Sequence, residues 1–98
     1  MDLYVIRRHG FTSAEDLQAA AARSATEGDK PGSGVRWIRS YIVPEGDDGG
    51  LGTFCVYEAE SPEAIRAHAA ASKMSADDIT PVVDTVIVRP DPVPAATA

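Results

Sequence analysis

The chain has 98 residues, 44% hydrophobic and 24% charged, which suits one globular domain and is too short for two independent cores. A formal net charge of −6 works against nucleic acid and anionic membrane surfaces as partners, because both select clustered Lys and Arg. The lone cysteine, Cys55, excludes an intrachain disulfide, no run reaches the length of a membrane span, and the N-terminus enters a strand pattern without a signal-peptide stretch, so a cytoplasmic location is expected.

Leu3 to Arg8 is rich in β-branched and aromatic residues and reads as the first strand. Thr12 and Glu15 match a capping box, which opens a helix with Leu17, Ala20, Ala21 and Ala25 as its buried stripe. Gly28 to Gly34 is a loop by composition and a candidate for mobility. The second strand runs from Val35 to Val43, with Trp37, Arg39 and Tyr41 on one face and Ile38, Ser40 and Ile42 on the other, and Pro44 closes it. Glu45 to Gly50 is a flexible hairpin tip, and Thr53 to Glu58 returns as the third strand.

Ser61-Pro62-Glu63 is the strongest local signal: an N-cap hydroxyl, a proline at the first helical position and an acid at the positive end of the helix dipole. In the helix that follows, Ile65, His68, Ala69 and Ser72 recur at i, i+3, i+4 and i+7, which puts His68 on the inward stripe. A short turn is expected over residues 75–78, and Val82 to Val88 reads as the fourth strand. Residues 1–89 then form a single domain, and 90–98, rich in Pro and Ala, a disordered tail.

The order strand-helix-strand-strand-helix-strand predicts an α+β, ferredoxin-like βαββαβ fold: a four-stranded antiparallel sheet with both helices on one face. Strands two to four carry apolar residues at both parities, and two helices cover only one face. A second copy packed sheet on sheet, as a homodimer, is the economical cover for the other.

Trp37-Ile38-Arg39-Ser40-Tyr41, Cys55-Val56-Tyr57-Glu58-Ala59 and Ile65-Arg66-Ala67-His68-Ala69, in that order and at those positions, resemble a family of small bacterial proteins. The family was formerly described as a domain of unknown function. It includes a nickel-binding protein of the dimeric α/β-barrel, ferredoxin-like class, and the likeness runs from about residue 3 to about residue 88. The resemblance implies that fold, a homodimer and nickel as the ligand. The chain departs from the family pattern with Arg7, Arg8 and His9 at the end of the first strand and Ala67 before the helix histidine, where members tend to carry acids.

His68 is the leading candidate ligand, because neutral imidazole suits borderline transition metals and its helix face is aimed at a sheet offering Glu58, Tyr57, Tyr41 and Cys55. The structural alternative is a core histidine bonded to a carboxylate or a backbone carbonyl. Glu58 can ligate the metal, orient His68 through a hydrogen bond or simply face water. Cys55 is a thiolate candidate or a small buried apolar side chain, and His9 follows two arginines that oppose a cation. Trp37 and Tyr57 suit the wall of a pocket for a small organic ligand. Three functions stay open: a homodimeric transition-metal (nickel) binding protein, a cofactor-independent enzyme on a small hydrophobic substrate with His68 as acid/base, and a regulatory or structural module.

Overall fold

The computed structural model describes residues 1–76 and 78–92. Its elements are β1 (Asp2–Phe11), α1 (Ala14–Gly28), β2 (Val35–Glu45), β3 (Gly50–Ala59), α2 (Pro62–Ala71) and β4 (Asp78–Pro81). The strands form one antiparallel sheet in the order β2-β3-β1-β4, the predicted ferredoxin-like arrangement. No helix among the described residues is long and apolar enough to cross a membrane.

Side-chain alternation divides the sheet cleanly. Tyr4, Ile6 and Arg8 of β1 and Thr53, Cys55 and Tyr57 of β3 are buried on the face that meets the helices. Both helices reach the same residue there: Ser24 of α1 bonds the Tyr57 hydroxyl at 2.8 Å, and the His68 ring of α2 packs 5.5 Å from the Tyr57 ring. The opposite, open face carries Val5, Arg7 and His9 of β1 with Phe54, Val56 and Glu58 of β3.

Two irregularities reassign side chains. In β2 the register slips between Trp37 and Arg39, so that Ile38 is the extra residue of a bulge. Trp37 therefore pairs with Tyr57 on the helix face and shares that face with Ser40 and Ile42, while Arg39 and Tyr41 point to the open face. Simple alternation grouped Trp37 with Arg39 and Tyr41, and it failed because one inserted residue inverts the parity of everything beyond it. In β1 a second slip between Arg8 and Phe11 is centred on Gly10, whose φ of +86° suits glycine, and it carries Phe11 over to the helix face.

The helix caps follow from local chemistry. Ser13, not Thr12, caps α1 by accepting from the Asp16 N–H at 3.1 Å, and Asp16 returns the interaction to the Thr12 N–H at 3.0 Å. Ser61 caps α2 through the Ala64 N–H at 3.1 Å, ahead of Pro62. The buried stripe of α1 ends on Ser24 and leaves Ala25 exposed, since Ser24 lies seven residues from Leu17 and finds a partner for its hydroxyl in Tyr57. On α2 the stripe of Ile65, His68, Ala69 and Ser72 is buried as expected.

The strands are not where composition put them at two ends. β2 continues through Pro44 to Glu45 and β3 begins at Gly50, because β2 is an edge strand and proline can leave its missing N–H on the unpaired side. The fourth strand is Asp78–Pro81, not Val82–Val88. It pairs antiparallel with β1 from Arg7↔Asp78 to Tyr4↔Pro81, and the Val82 N–H to Leu3 carbonyl bond at 2.9 Å is the last rung before β1 runs out. Val83, Val86, Ile87 and Val88 are left without a strand to join and are 97%, 87%, 75% and 78% exposed. Asp91 then returns to the opposite edge, accepting from the Tyr41 hydroxyl at 2.6 Å. The turn expected over residues 75–78 includes Asp77, which lies outside the described residues, as do residues 93–98 of the expected tail.

Replacing Ser61 by Ala removes the acceptor for the Ala64 N–H and should lower unfolding free energy by about 1 kcal/mol, whereas Ser61→Gly should cost only a few tenths, both read from urea denaturation midpoints.

Candidate functional site

His68 is 5% exposed and its Nε2 donates to the Ser24 carbonyl at 3.0 Å, with the Ser24 and Ser72 hydroxyls each at 3.5 Å. Its Nδ1 is buried without a hydrogen-bond partner among the described residues. Cys55, Tyr57 and Trp37 share the helix face of the sheet with it. Tyr41, Glu58 and His9 lie on the other face, separated from His68 by the sheet itself. Glu58 pairs with the Arg36 guanidinium at 3.3 Å, and the hydrogen bond that Tyr41 donates to Asp91 holds its phenol above the ordinary value, which keeps it protonated. Burial raises the Tyr57 phenol likewise. No group of three or more His, Cys, Asp or Glu side chains is placed to hold a metal among the described residues.

Cys55 is tied into a wall of hydrogen bonds. The Trp37 Nε1–H donates to the Ser40 hydroxyl at 2.8 Å, Ser40 lies 3.0 Å from the Cys55 sulfur, and that sulfur lies 3.2 Å from the Thr53 hydroxyl. The buried thiol has no basic neighbour among these partners. Beside this wall, between α1 and the β2–β3 half of the sheet, is a cavity of about 230 Å³ bounded by Trp37, Tyr57, Leu17, Ala21, Ile42 and Met74.

On the open face the β1 bulge sets His9 beside Glu45. Glu45 Oε2 takes the His9 Nδ1–H at 2.5 Å and the Arg7 Nη2–H at 2.7 Å, and Oε1 accepts from the Gly10 N–H at 3.2 Å. The His9 contact is the largest cause holding the Glu45 carboxyl below its ordinary value of 4.5; desolvation opposes it, while the Gly10 N–H and the charges of His9 and Arg7 assist. Arg7 itself lies 4.4 Å over the Phe54 ring. Gly52 makes this possible, since a Cβ there would come within 2.5 to 2.7 Å of Glu45 and Arg7. His9 keeps half its ring exposed and shares a shallow hollow with Asp78, whose strand pairs with β1 opposite Arg7. Sequence reading passed over Glu45 as part of a hairpin tip and Asp78 as part of a turn, because only the strand register sets them beside His9.

A ferredoxin-like α+β domain with a packed helix face and a polar cluster on its open face is the class of protein these features define. The chain belongs to the nickel responsive protein SCO4226-like family, whose pattern it matches over residues 4–82. Among solved structures it is similar to the crystal structure of SCO4226 from Streptomyces coelicolor A3(2), with a TM-score of 0.67 and 21% identity over 86% of this chain and 99% of that one. No match was found among curated proteins.

Because the Glu45 carboxyl is held low by its partners, its ionised form stabilises the fold above about pH 4.5 and that contribution is lost as pH falls through the depressed value. Glu45→Gln should therefore flatten the fall in Tm between about pH 5 and about pH 3 by comparison with the unaltered protein.

Proposed function

We propose that the protein is a homodimeric binding protein for a divalent transition metal, nickel by family, with its donors on the open face of the sheet. The observation that carries this reading is the His9–Glu45 pair. A carboxylate that holds one ring nitrogen fixes the imidazole and leaves the other lone pair free to ligate, as in carboxylate–histidine–metal triads. Asp78 in the same hollow supplies an oxygen donor, and Glu45 already neutralises the adjacent Arg7. Nitrogen and oxygen donors of this kind suit Ni²⁺ and Cu²⁺ ahead of most divalent first-row ions.

One chain contributes too few donors for a closed coordination sphere. A second copy laid against the open face doubles them, which joins the metal reading to the dimer reading. The dimer is supported separately by apolar surface that a lone chain leaves in water: Phe54 and Tyr41 on the open face and Val83, Val86, Ile87 and Val88 after β4. The donor chemistry around His68 fits a metal less well, since its Nε2 is committed to the Ser24 carbonyl and no group of three or more His, Cys, Asp or Glu side chains gathers there among the described residues.

Light scattering at micromolar concentration should give the mass of two chains, and the double substitution Val86→Asp, Val88→Asp should shift it to one. A monomer mass for the unaltered protein would remove the dimer reading.

Calorimetric titration of tag-free protein with Ni²⁺ should lose at least about tenfold in affinity on His9→Gln. His68→Gln should leave that titration unchanged while costing about 1–3 kcal/mol of stability through the Ser24 carbonyl it leaves poorly paired. The opposite pattern, with His68→Gln abolishing binding, would move the site to the helix face.

A further inference from the structure

The cavity between α1 and the β2–β3 half of the sheet contains a group that neither the fold nor a metal site on the other face explains. Arg8 is 1% exposed, among the largest fully buried side chains of the described residues, and it lines this cavity. Its Nε–H donates to the Ser75 carbonyl at 2.9 Å and its guanidinium sits 5.5 Å from the centre of the Tyr57 ring. Nη2 is buried with no acceptor, and no carboxylate forms an ion pair with Arg8 among the described residues. A buried guanidinium keeps its charge, so an uncompensated one is among the least favourable arrangements a fold can contain. Most other polar groups of the wall are engaged with one another through the Trp37–Ser40–Cys55–Thr53 chain of contacts and the Ser24–Tyr57 bond, and Gln18 of α1 is exposed. What is left is a largely apolar chamber beside an arginine whose Nη2 has no acceptor among the described residues.

We infer that this cavity binds a small apolar monocarboxylate, with Arg8 as its counter-ion. A carboxylate beside Arg8 cancels the buried charge with a single negative charge of its own, and guanidinium–carboxylate pairing is the strongest open to Arg8. A phosphate dianion would bring a second charge into a chamber with no second cation on its wall. The remainder of the ligand meets Leu17, Ala21, Ile42 and Met74, and Trp37 offers a flat surface for an aryl or short alkyl group. At about 230 Å³ the chamber is smaller than the roughly 300–1,000 Å³ of sites for drug-sized molecules, so the ligand is a small acid. β2 is an edge strand and its helix-side residues Trp37 and Ile42 remain partly exposed, which puts the mouth along that edge, away from the open face.

Trp37 is the single tryptophan and borders the chamber, so its emission reports occupancy directly. Titration of the full chain in EDTA with phenylacetate should change Trp37 emission saturably, and the uncharged isostere phenylacetamide should bind at least about tenfold more weakly. Arg8→Gln should abolish the preference for the acid over the amide. Ala21→Phe, which fills the chamber and leaves Arg8 in place, should abolish binding of both while far-UV circular dichroism stays unchanged. The inference is overturned by the absence of a saturable response to phenylacetate up to millimolar concentration. It is equally overturned by equal affinities for acid and amide in the unaltered protein, a comparison that needs no variant to fold, or by retained binding in folded Ala21→Phe. Because EDTA removes metal and the readout lies on the helix face, failure here leaves the nickel titrations of His9→Gln untouched, and the converse also holds.

Discussion

Tyr57 is the residue on which the packed half of the molecule converges. It is 1% exposed, its ring lies nearly parallel to Trp37 at 6.2 Å, its hydroxyl is bonded to Ser24 of α1, and the His68 ring of α2 packs against it at 5.5 Å, tilted by 56°. A buried phenol needs a partner for its hydroxyl, and that need draws Ser24, a polar residue, onto the inward stripe of an alanine-rich helix. His68 extends the same logic: its Nε2 bonds the Ser24 carbonyl, so both helices are tied to β3 through one tyrosine and one serine. In a chain with few large apolar residues, directional bonds of this kind do part of the positioning that bulk does elsewhere.

The two sides of the sheet consequently have different chemistry. The helix side is closed around Tyr57, Ile6 and Ile65, with Arg8 as its one buried arginine or lysine among the described residues. The open side is organised by Glu45, which gathers Arg7, His9 and Gly10 of β1 around one carboxylate. Because β1 alternates strictly up to its bulge, Arg7 and Arg8 are neighbours in sequence yet serve opposite faces. One arginine neutralises a carboxylate beside an exposed histidine, and the other, bonded through Nε to the Ser75 carbonyl, leaves its Nη2 without an acceptor among the described residues beside a largely apolar chamber.

Bulges have an influence out of proportion to their size here. The extra residue at Ile38 turns Trp37 toward Tyr57, which builds the wall of the chamber, and the slip at Gly10 brings Phe11 to the same side while leaving His9 on the other. Each is a local change of one residue in a strand, and each decides which chemistry the side chains beyond it can join.

The element order, the caps near Ser13 and Ser61, and the inward stripe of α2 were legible from the chain alone, since periodicity, capping chemistry and turn composition act over a few residues. Family membership was legible too, in three short segments at the right element positions. Which residues meet was not. His68 was correctly read as inward, but Glu58 and Tyr41 were assigned to its neighbourhood although they lie across the sheet from it, because parity counted along one strand says nothing of a bulge in it or of the face its partner strand presents. The apolar run after Pro81 had the composition of a strand and lacked a strand to pair with, a matter of where β1 ends. Strand propensity belongs to residues, whereas pairing, burial and the company of Arg8 and His9 belong to register, and register is set only when the whole sheet is assembled.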